Sequence, residues 1–400
     1  MKSRLISGVI VAVIATACGG DKHMQQDSST VAPAAASPAT SSSSTNGDGI
    51  PLGRYAPIDD LVLGGDCPPV TGSPDAEIAA QASAIVPIKV GLTLSHTWRR
   101  TAEDYDHECL EQVTSIERDA VVMEMRCPMD KGVKMHAIRR LCRADLHDSH
   151  IYLTGMREEF PTVFGGALRL ILSSSSFAAI KARRQARHRF VSFTYKPFGV
   201  LNDVDGELEF DGQSTSRLII NDTVVDVPII DASFASLVKG QMVKAKILND
   251  DHAPFVLDYR IPTGGFSIVF TKVSFPTEHA LEQQLAKAKH VDVYGIYFDF
   301  ASDSIRPESE PVLHEIADAL NSNKDWNLTI SGHTDSIGGA AANLDLSKRR
   351  SEAVRKALIE RYQVDGTHLS TNGYGASLPK ETNDTDAGRA RNRRVELVRQ

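Results

Sequence analysis

The chain has 400 residues, of which 42% are hydrophobic and 24% charged, with a formal net charge of -7 at pH 7. That length suits two or three domains, and the mixture is ordinary for a soluble globular protein. The charge gives no reason to expect a polyanionic partner such as nucleic acid, and composition alone says little more about function.

The first residues carry a compartment signal. Lys2 and Arg4 precede an almost purely apolar run from Leu5 to Ala17. It is too short to span a bilayer and fits a signal peptide over residues 1–17. The stretch Ala15-Thr16-Ala17-Cys18 resembles a bacterial lipobox. The resemblance implies that Cys18 receives lipid, palmitate included, and becomes the mature N-terminus. Gly19 rather than Asp follows, which within the same resemblance implies the outer membrane, facing the periplasm of a Gram-negative-type bacterium. A plain secreted protein is the alternative.

Residues 18–57 are rich in Ser, Thr, Ala, Pro and Gly and lack apolar periodicity. They read as a flexible tether with a root-mean-square span of roughly 35 Å. Cys67, Cys109, Cys127 and Cys142 remain once Cys18 is assigned to lipid. In an exported protein they are disulfide candidates, with three possible pairings. No CxxC spacing suggests zinc, and no metal or cofactor is expected.

Residues 58–275 read as a β-rich domain of unknown fold. Short β-branched and aromatic runs such as DAVVMEMRC, FVSFTY, GELEFDG, MVKAKIL and FSIVFTKVSF recur between turn signals, among them Asn221-Asp222, Asp211-Gly212 and Gly264-Gly265. Ser174–Arg189 predicts one helix bearing Lys181, Arg183, Arg184, Arg187 and Arg189. This basic group reads as a solvated face, or as a contact for acidic lipid headgroups or wall acids. His96, His107, His136, His147 and His150 are scattered; His147 and His150 could share a helix face, which is weak evidence for a metal. Glu207 and Glu209 are ordinary surface carboxylates, and no nucleophile or metalloprotease signature occurs, so no enzyme activity is expected.

Residues 276–290 predict a short amphipathic linker helix, and residues 291–400 a final domain. Val291–Phe298 predicts a strand. Pro307 opens a helix whose Val312, Leu313, Ile316, Ala317 and Leu320 form an apolar stripe. Asn327–Ile330 predicts a second strand, Asn343–Tyr362 a second helix, and Leu369–Tyr374 and Val395–Val398 two further strands. The order β-α-β-α-β-β makes this an α+β fold with both helices on one sheet face.

Asp335 stands where the second strand turns toward a helix, and Arg350 shares a face with Asn343 two turns along it. A carboxylate and a guanidinium held close can clamp a zwitterion: the first takes an ammonium, the second a carboxylate in two parallel bonds. A structural Asp–Arg pair is the alternative. Gly338-Gly339 would let the loop bend so that both charges face one ligand.

Thr334-Asp335, Gly338, Asn343, Leu346-Ser347 and Arg350 fit the pattern T-D-x-x-G-x-x-x-x-N-x-x-L-S-x-x-R. With YFDF at Tyr297–Phe300, GYG at Gly373–Gly375 and NRRVEL at Asn392–Leu397, the segment 291–400 resembles the OmpA-like peptidoglycan-binding domain. The resemblance implies non-catalytic binding of diaminopimelate in peptidoglycan stem peptides through Asp335 and Arg350, with Thr334, Asn343 and Arg393 lining or supporting the pocket. Asn343 could instead be a helix cap and Arg393 a strand-end ion pair. Ala342 stands where the family often has an aromatic residue, a departure at one wall of the pocket. The whole reads as an anchor of the outer membrane to the cell wall. The alternatives are an assembly protein with a periplasmic protein partner and a wall-targeted enzyme with activity in the middle domain.

Overall fold

Side-chain alternation builds the larger part of the molecule. In MVKAKIL, Val243, Ala245 and Ile247 are buried while Met242 and Lys244 are exposed, the period of a strand with one covered face. The computed structural model describes residues 62–63, 66–70, 83–100, 103–128, 134–154, 164–165, 167–193, 200–235, 242–261, 266–277 and 280–400. The expected signal peptide, Cys18, the tether and the Gly264-Gly265 turn lie outside them.

Strands are numbered in chain order. β1 (Val62–Leu63) and β7 (Phe164–Gly165) form a short ribbon. A 12-stranded sheet holds β2 (Thr93–Arg100), β3 (Glu103–Ile116), β4 (Ala120–Pro128), β5 (Lys134–Cys142), β6 (Ile151–Thr154), β8 (Ala167–Leu168) and β9 (Gln185–Phe193). It continues with β10 (Val200–Ile220), β11 (Thr223–Ala235), β12 (Met242–Leu248), β13 (Val256–Ile261) and β14 (Phe266–Ser274). The order is β5-β4-β3-β2-β14-β13-β12-β11-β10-β9-β6-β8. β14 also runs parallel to β10 through Ile219↔Lys272 and Ile220↔Val273, so β10 to β14 close on themselves. Phe190, Phe234, Tyr152 and Tyr259 pack inside this region.

The Asn221-Asp222 turn signal is a β10–β11 hairpin turn, with φ of 44° and 64°, as a two-residue turn of the primed type requires. Two disulfides form, Cys67–Cys142 and Cys109–Cys127. The second joins facing residues of β3 and β4 with Cα atoms 4.3 Å apart, the close spacing of a non-hydrogen-bonded cross-strand pair.

The expected helix over 174–189 is shorter. α2 (Ser174–Arg183) stops at Arg184, whose φ is 67°, and Gln185 begins β9. Arg187 and Arg189 therefore lie on a strand beside inward-facing Ala186, His188 and Phe190, and the basic residues do not form one helical face. Similarly, α1 (Arg143–His147) ends before His150, so His147 and His150 share no helix face.

In the C-terminal part, β15 (His290–Val293), β16 (Leu328–His333), β17 (Leu369–Gly375) and β18 (Val395–Arg399) form a sheet in the order β15-β18-β16-β17. α3 (Ala280–Ala288), α4 (Glu310–Ser322) and α5 (Ala340–Tyr362) pack on it. Leu313, Ile316, Ala317 and Leu320 of α4 meet Val354, Ala357 and Leu358 of α5 and Val291, Val293, Leu328, Ile330, Val395 and Leu397 of the sheet in one core. The first strand is shorter than expected: beyond Val293 only Phe298 bridges, to Ile305. A further helix, α6 (Asp386–Asn392), precedes β18. Among the described residues no helix is long and apolar enough to cross a membrane.

Gly53–Gln400 forms one compact unit. Arg306 reaches from the C-terminal part to donate to the carbonyls of Glu108 (3.2 Å) and Arg126 (2.9 Å), and Arg126 pairs with Glu308 at 3.1 Å. Asp222 accepts from the backbone amides of Tyr294 and Gly295.

Candidate functional site

The motif residues gather where β16 gives way to α5. Gly332 lets the helix come that close: a Cβ there would lie 2.1 Å from the Ser347 carbonyl oxygen. The Ser347 hydroxyl, donating to Leu344, also accepts the Gly375 amide at 2.8 Å and so ties α5 to β17.

Beyond β16, the Thr334 amide donates to the Gly375 carbonyl and its hydroxyl to the Asp335 carbonyl. The Asp335 carboxylate turns the chain by accepting the Ile337 amide at 3.0 Å, a local side-chain turn. Gly338 follows with φ of +94°, a conformation that side chains disfavour. Gly339 has an ordinary φ of -79° and occupies the helix N-cap. Only the first of the two glycines is therefore needed for the bend.

Asn343 is not the cap. Its amide nitrogen donates to the Asp335 carbonyl (3.2 Å) and the Ile337 carbonyl (3.0 Å), bracing the loop from within. Arg393, at the end of α6, donates to the Asp335 carboxylate at 2.8 Å. Arg350 is held differently. It donates to the carbonyls of Ser302 (2.9 Å) and Asp299 (3.4 Å), with its guanidinium 4.8 Å from the Phe298 ring centre. Burial, then Arg393 nearby, lowers its pKa to about 10, which still leaves it charged at neutral pH.

Asp335, Arg350, Thr334, Asn343 and Arg393 all line one cavity of about 500 Å³. Phe300 and Ile337, 65% and 53% exposed, give it an apolar rim, and Ala342 and Leu346 also line it. The arrangement can receive an ammonium near Asp335 and a carboxylate near Arg350. Glu108 of β3 and Pro128 of β4 line the same cavity. Burial raises the Glu108 carboxyl, but Lys272, Arg393 and the Ser95 hydroxyl more than offset it and hold the group far below the usual carboxylate range. Sequence reasoning missed Glu108, and no local motif marks it.

Two other groups of described side chains have ligand atoms close enough for a metal: His96 with Cys109 and Cys127, and His290 with Asp292 and Glu396. The two cysteines are bonded to each other. Asp292 already pairs with Arg394 and Lys380, and Glu396 with His290 and His333.

Residues 297–393 match the family model described as the OmpA family. Outer membrane porin F of Pseudomonas aeruginosa is 41% identical over 101 residues, 25% of this chain and 29% of the relative. Peptidoglycan-binding protein ArfA of Mycobacterium bovis is 40% identical over 95 residues, 24% of this chain and 29% of the relative. The chain thus spans less than a third of the length of these curated relatives. Among solved structures, the peptidoglycan-associated lipoprotein from Burkholderia pseudomallei is 34% identical, with 26% of this chain and 88% of that one covered and a TM-score of 0.25.

Proposed function

Residues 297–393 form an OmpA family domain, and on that premise we propose that the chain is a non-catalytic anchor whose C-terminal domain grips peptidoglycan. The ligand is the free end of a diaminopimelate side chain, which carries an ammonium and a carboxylate on one carbon. Asp335 receives the ammonium and Arg350 the carboxylate. Asn343 and Thr334 hold the loop that carries Asp335, and Arg393 fixes the direction of its carboxylate. Lipid on Cys18 would tie the other end to the outer membrane; several acyl chains hold firmly where one is marginal.

The observation that carries this reading is that Asp335 and Arg350 face a common cavity while each is positioned by other groups. An Asp335–Arg350 ion pair would consume both charges; here Asp335 pairs with Arg393 instead, and Arg350 is seated on neutral carbonyls and an aromatic face. Such contacts position a guanidinium without cancelling its charge.

Retention on purified sacculi tests it. The unsubstituted protein should sediment with walls that contain diaminopimelate and much less with walls that contain lysine, which lacks the terminal carboxylate. Asp335→Ala and Arg350→Ala should each abolish retention while remaining folded by circular dichroism. Full retention of both variants sinks the proposal.

A further inference from the structure

We propose that the upstream β-rich region completes this site, with Glu108 as a positioning residue that acts through Arg393 on the ammonium half of the cavity. The inference rests on the wall-binding reading and adds to it a specificity determinant from outside the OmpA family segment.

Glu108 stands at the junction of two charge systems. One carboxylate oxygen accepts from the Ser95 hydroxyl and lies 3.0 Å from the Lys272 ammonium. The other lies 3.9 Å from Arg393 Nε. On its far side, Arg393 donates to Asp335 at 2.8 Å. The charges therefore alternate across the boundary in the order Lys272, Glu108, Arg393, Asp335.

The backbone around Glu108 is fixed. Arg306, only 7% exposed, holds the carbonyls of Glu108 and Arg126 with one guanidinium. The next residues in each strand, Cys109 and Cys127, are joined by a disulfide. Glu108 thus has little freedom to leave Arg393.

This placement matters for the ligand. An arginine paired with a single carboxylate largely cancels it. An arginine shared between two carboxylates leaves each with residual negative potential, and in a partly desolvated cavity that residue acts at short range. Glu108 draws on Arg393 from behind, so Asp335 retains charge for an incoming ammonium. Arg350, seated on Ser302 and Phe298, lines the same cavity and also feels the Glu108 carboxylate, but it does not use Arg393 as its anchor.

The test uses the full chain and two synthetic stem tripeptides: one ending in meso-diaminopimelate, the other an analogue without the terminal amine but with the terminal carboxylate kept. Glu108→Gln preserves shape but also deprives buried Lys272 of its counter-ion. The double variant Glu108→Gln/Lys272→Met, which leaves no unpaired buried charge, is therefore measured beside it. Calorimetry should show binding of the first peptide weakened about tenfold, equivalent to roughly 1.4 kcal/mol, with the analogue bound no more weakly than by the unsubstituted protein. In the absence of any peptide, nitrogen-15 NMR should show faster solvent exchange of the Arg393 Nε proton in the variant. Equal losses for both peptides would mean a merely structural effect and overturn the proposal. Unchanged or tighter binding of the diaminopimelyl peptide also overturns it, the latter because Glu108 would then be an occupant of the anion site. If the unsubstituted protein binds neither peptide, the wall-binding reading falls and this inference with it.

Discussion

Arg393 donates to Asp335 at 2.8 Å, although the spacing of the chain suggests Arg350 as the partner of that carboxylate. The difference decides what the site can do. Arg393 approaches from the end of α6, bonding one carboxylate oxygen, while the Ile337 amide holds the other. Asp335 is thereby aimed, and Arg350 stays on its carbonyl seat in the same cavity.

Arg393→Gln should consequently weaken wall retention without abolishing it, by about tenfold at most, because the lost aim of Asp335 outweighs the negative potential its carboxylate regains. Asp335→Ala should remove retention altogether. A dilution series of sacculi with quantified bound protein distinguishes the two. Identical behaviour of the variants would mean that Arg393 touches the ligand as directly as Asp335 does.

The approach of α5 to β16 is a steric requirement. Gly332→Ala places a methyl group 2.1 Å from the Ser347 carbonyl oxygen, on backbone that cannot rotate aside. Overpacking of this kind costs about 3 kcal/mol or more. Denaturant unfolding should show a large fall in midpoint. Gly339→Ala, whose Cβ has nothing within 4 Å, should lower the midpoint far less, by no more than the roughly 1 kcal/mol that alanine costs at a helix N-cap.

The C-terminal helices were legible because burial and spacing agree: Leu313, Ile316, Ala317 and Leu320 recur at helical period and are all buried. The motif residues were legible through the family pattern, and they do come to one cavity. α6 was not, because Asp386–Asn392 reads DAGRARN and has no apolar stripe. Its burial rests on hydrogen bonds instead, such as Asn392 accepting the amides of Lys380 and Glu381. Gln185–Arg189, the first part of β9, reads as the end of a helix, whereas Ala186, His188 and Phe190 alternate inward at period two and continue the strand run FVSFTY. Glu108 could not be found from sequence at all. It joins the site only after the β3–β4 hairpin docks on Arg306 and Glu308, a contact between distant parts of the chain.

The two disulfides should separate stability from binding. Their sequence separations are 75 for Cys67–Cys142 and 18 for Cys109–Cys127. Loop entropy then predicts losses of about 4 and about 3 kcal/mol on replacing each pair with alanine. Retention should rank the other way, because Cys109 and Cys127 adjoin the cavity residues Glu108 and Pro128. Measuring guanidinium midpoints and sacculus retention on both double variants checks the crossing. Parallel ranking would mean that the hairpin wall does not depend on its disulfide.

Asp222 predicts a pH dependence of stability. Burial raises its pKa from 3.8 to about 6, and the amides of Tyr294 and Gly295 offset only part of that rise. Below about pH 4 the carboxyl is protonated in both folded and unfolded chains, and the group is at its most favourable. As pH rises toward 6 the unfolded chain releases its proton first, so stability falls across this window and stays lower above it. Asp222 is partly accessible, so solvent screening discounts the full shift to about 1 to 2 kcal/mol. Asp222→Asn keeps an oxygen acceptor for both amides and suits the left-handed turn position. It should raise the unfolding midpoint at pH 7.5, change it little at pH 4, and flatten the intervening slope. A variant destabilised equally at both pH values would show instead that the charge of Asp222 strengthens its contact with Tyr294 and Gly295.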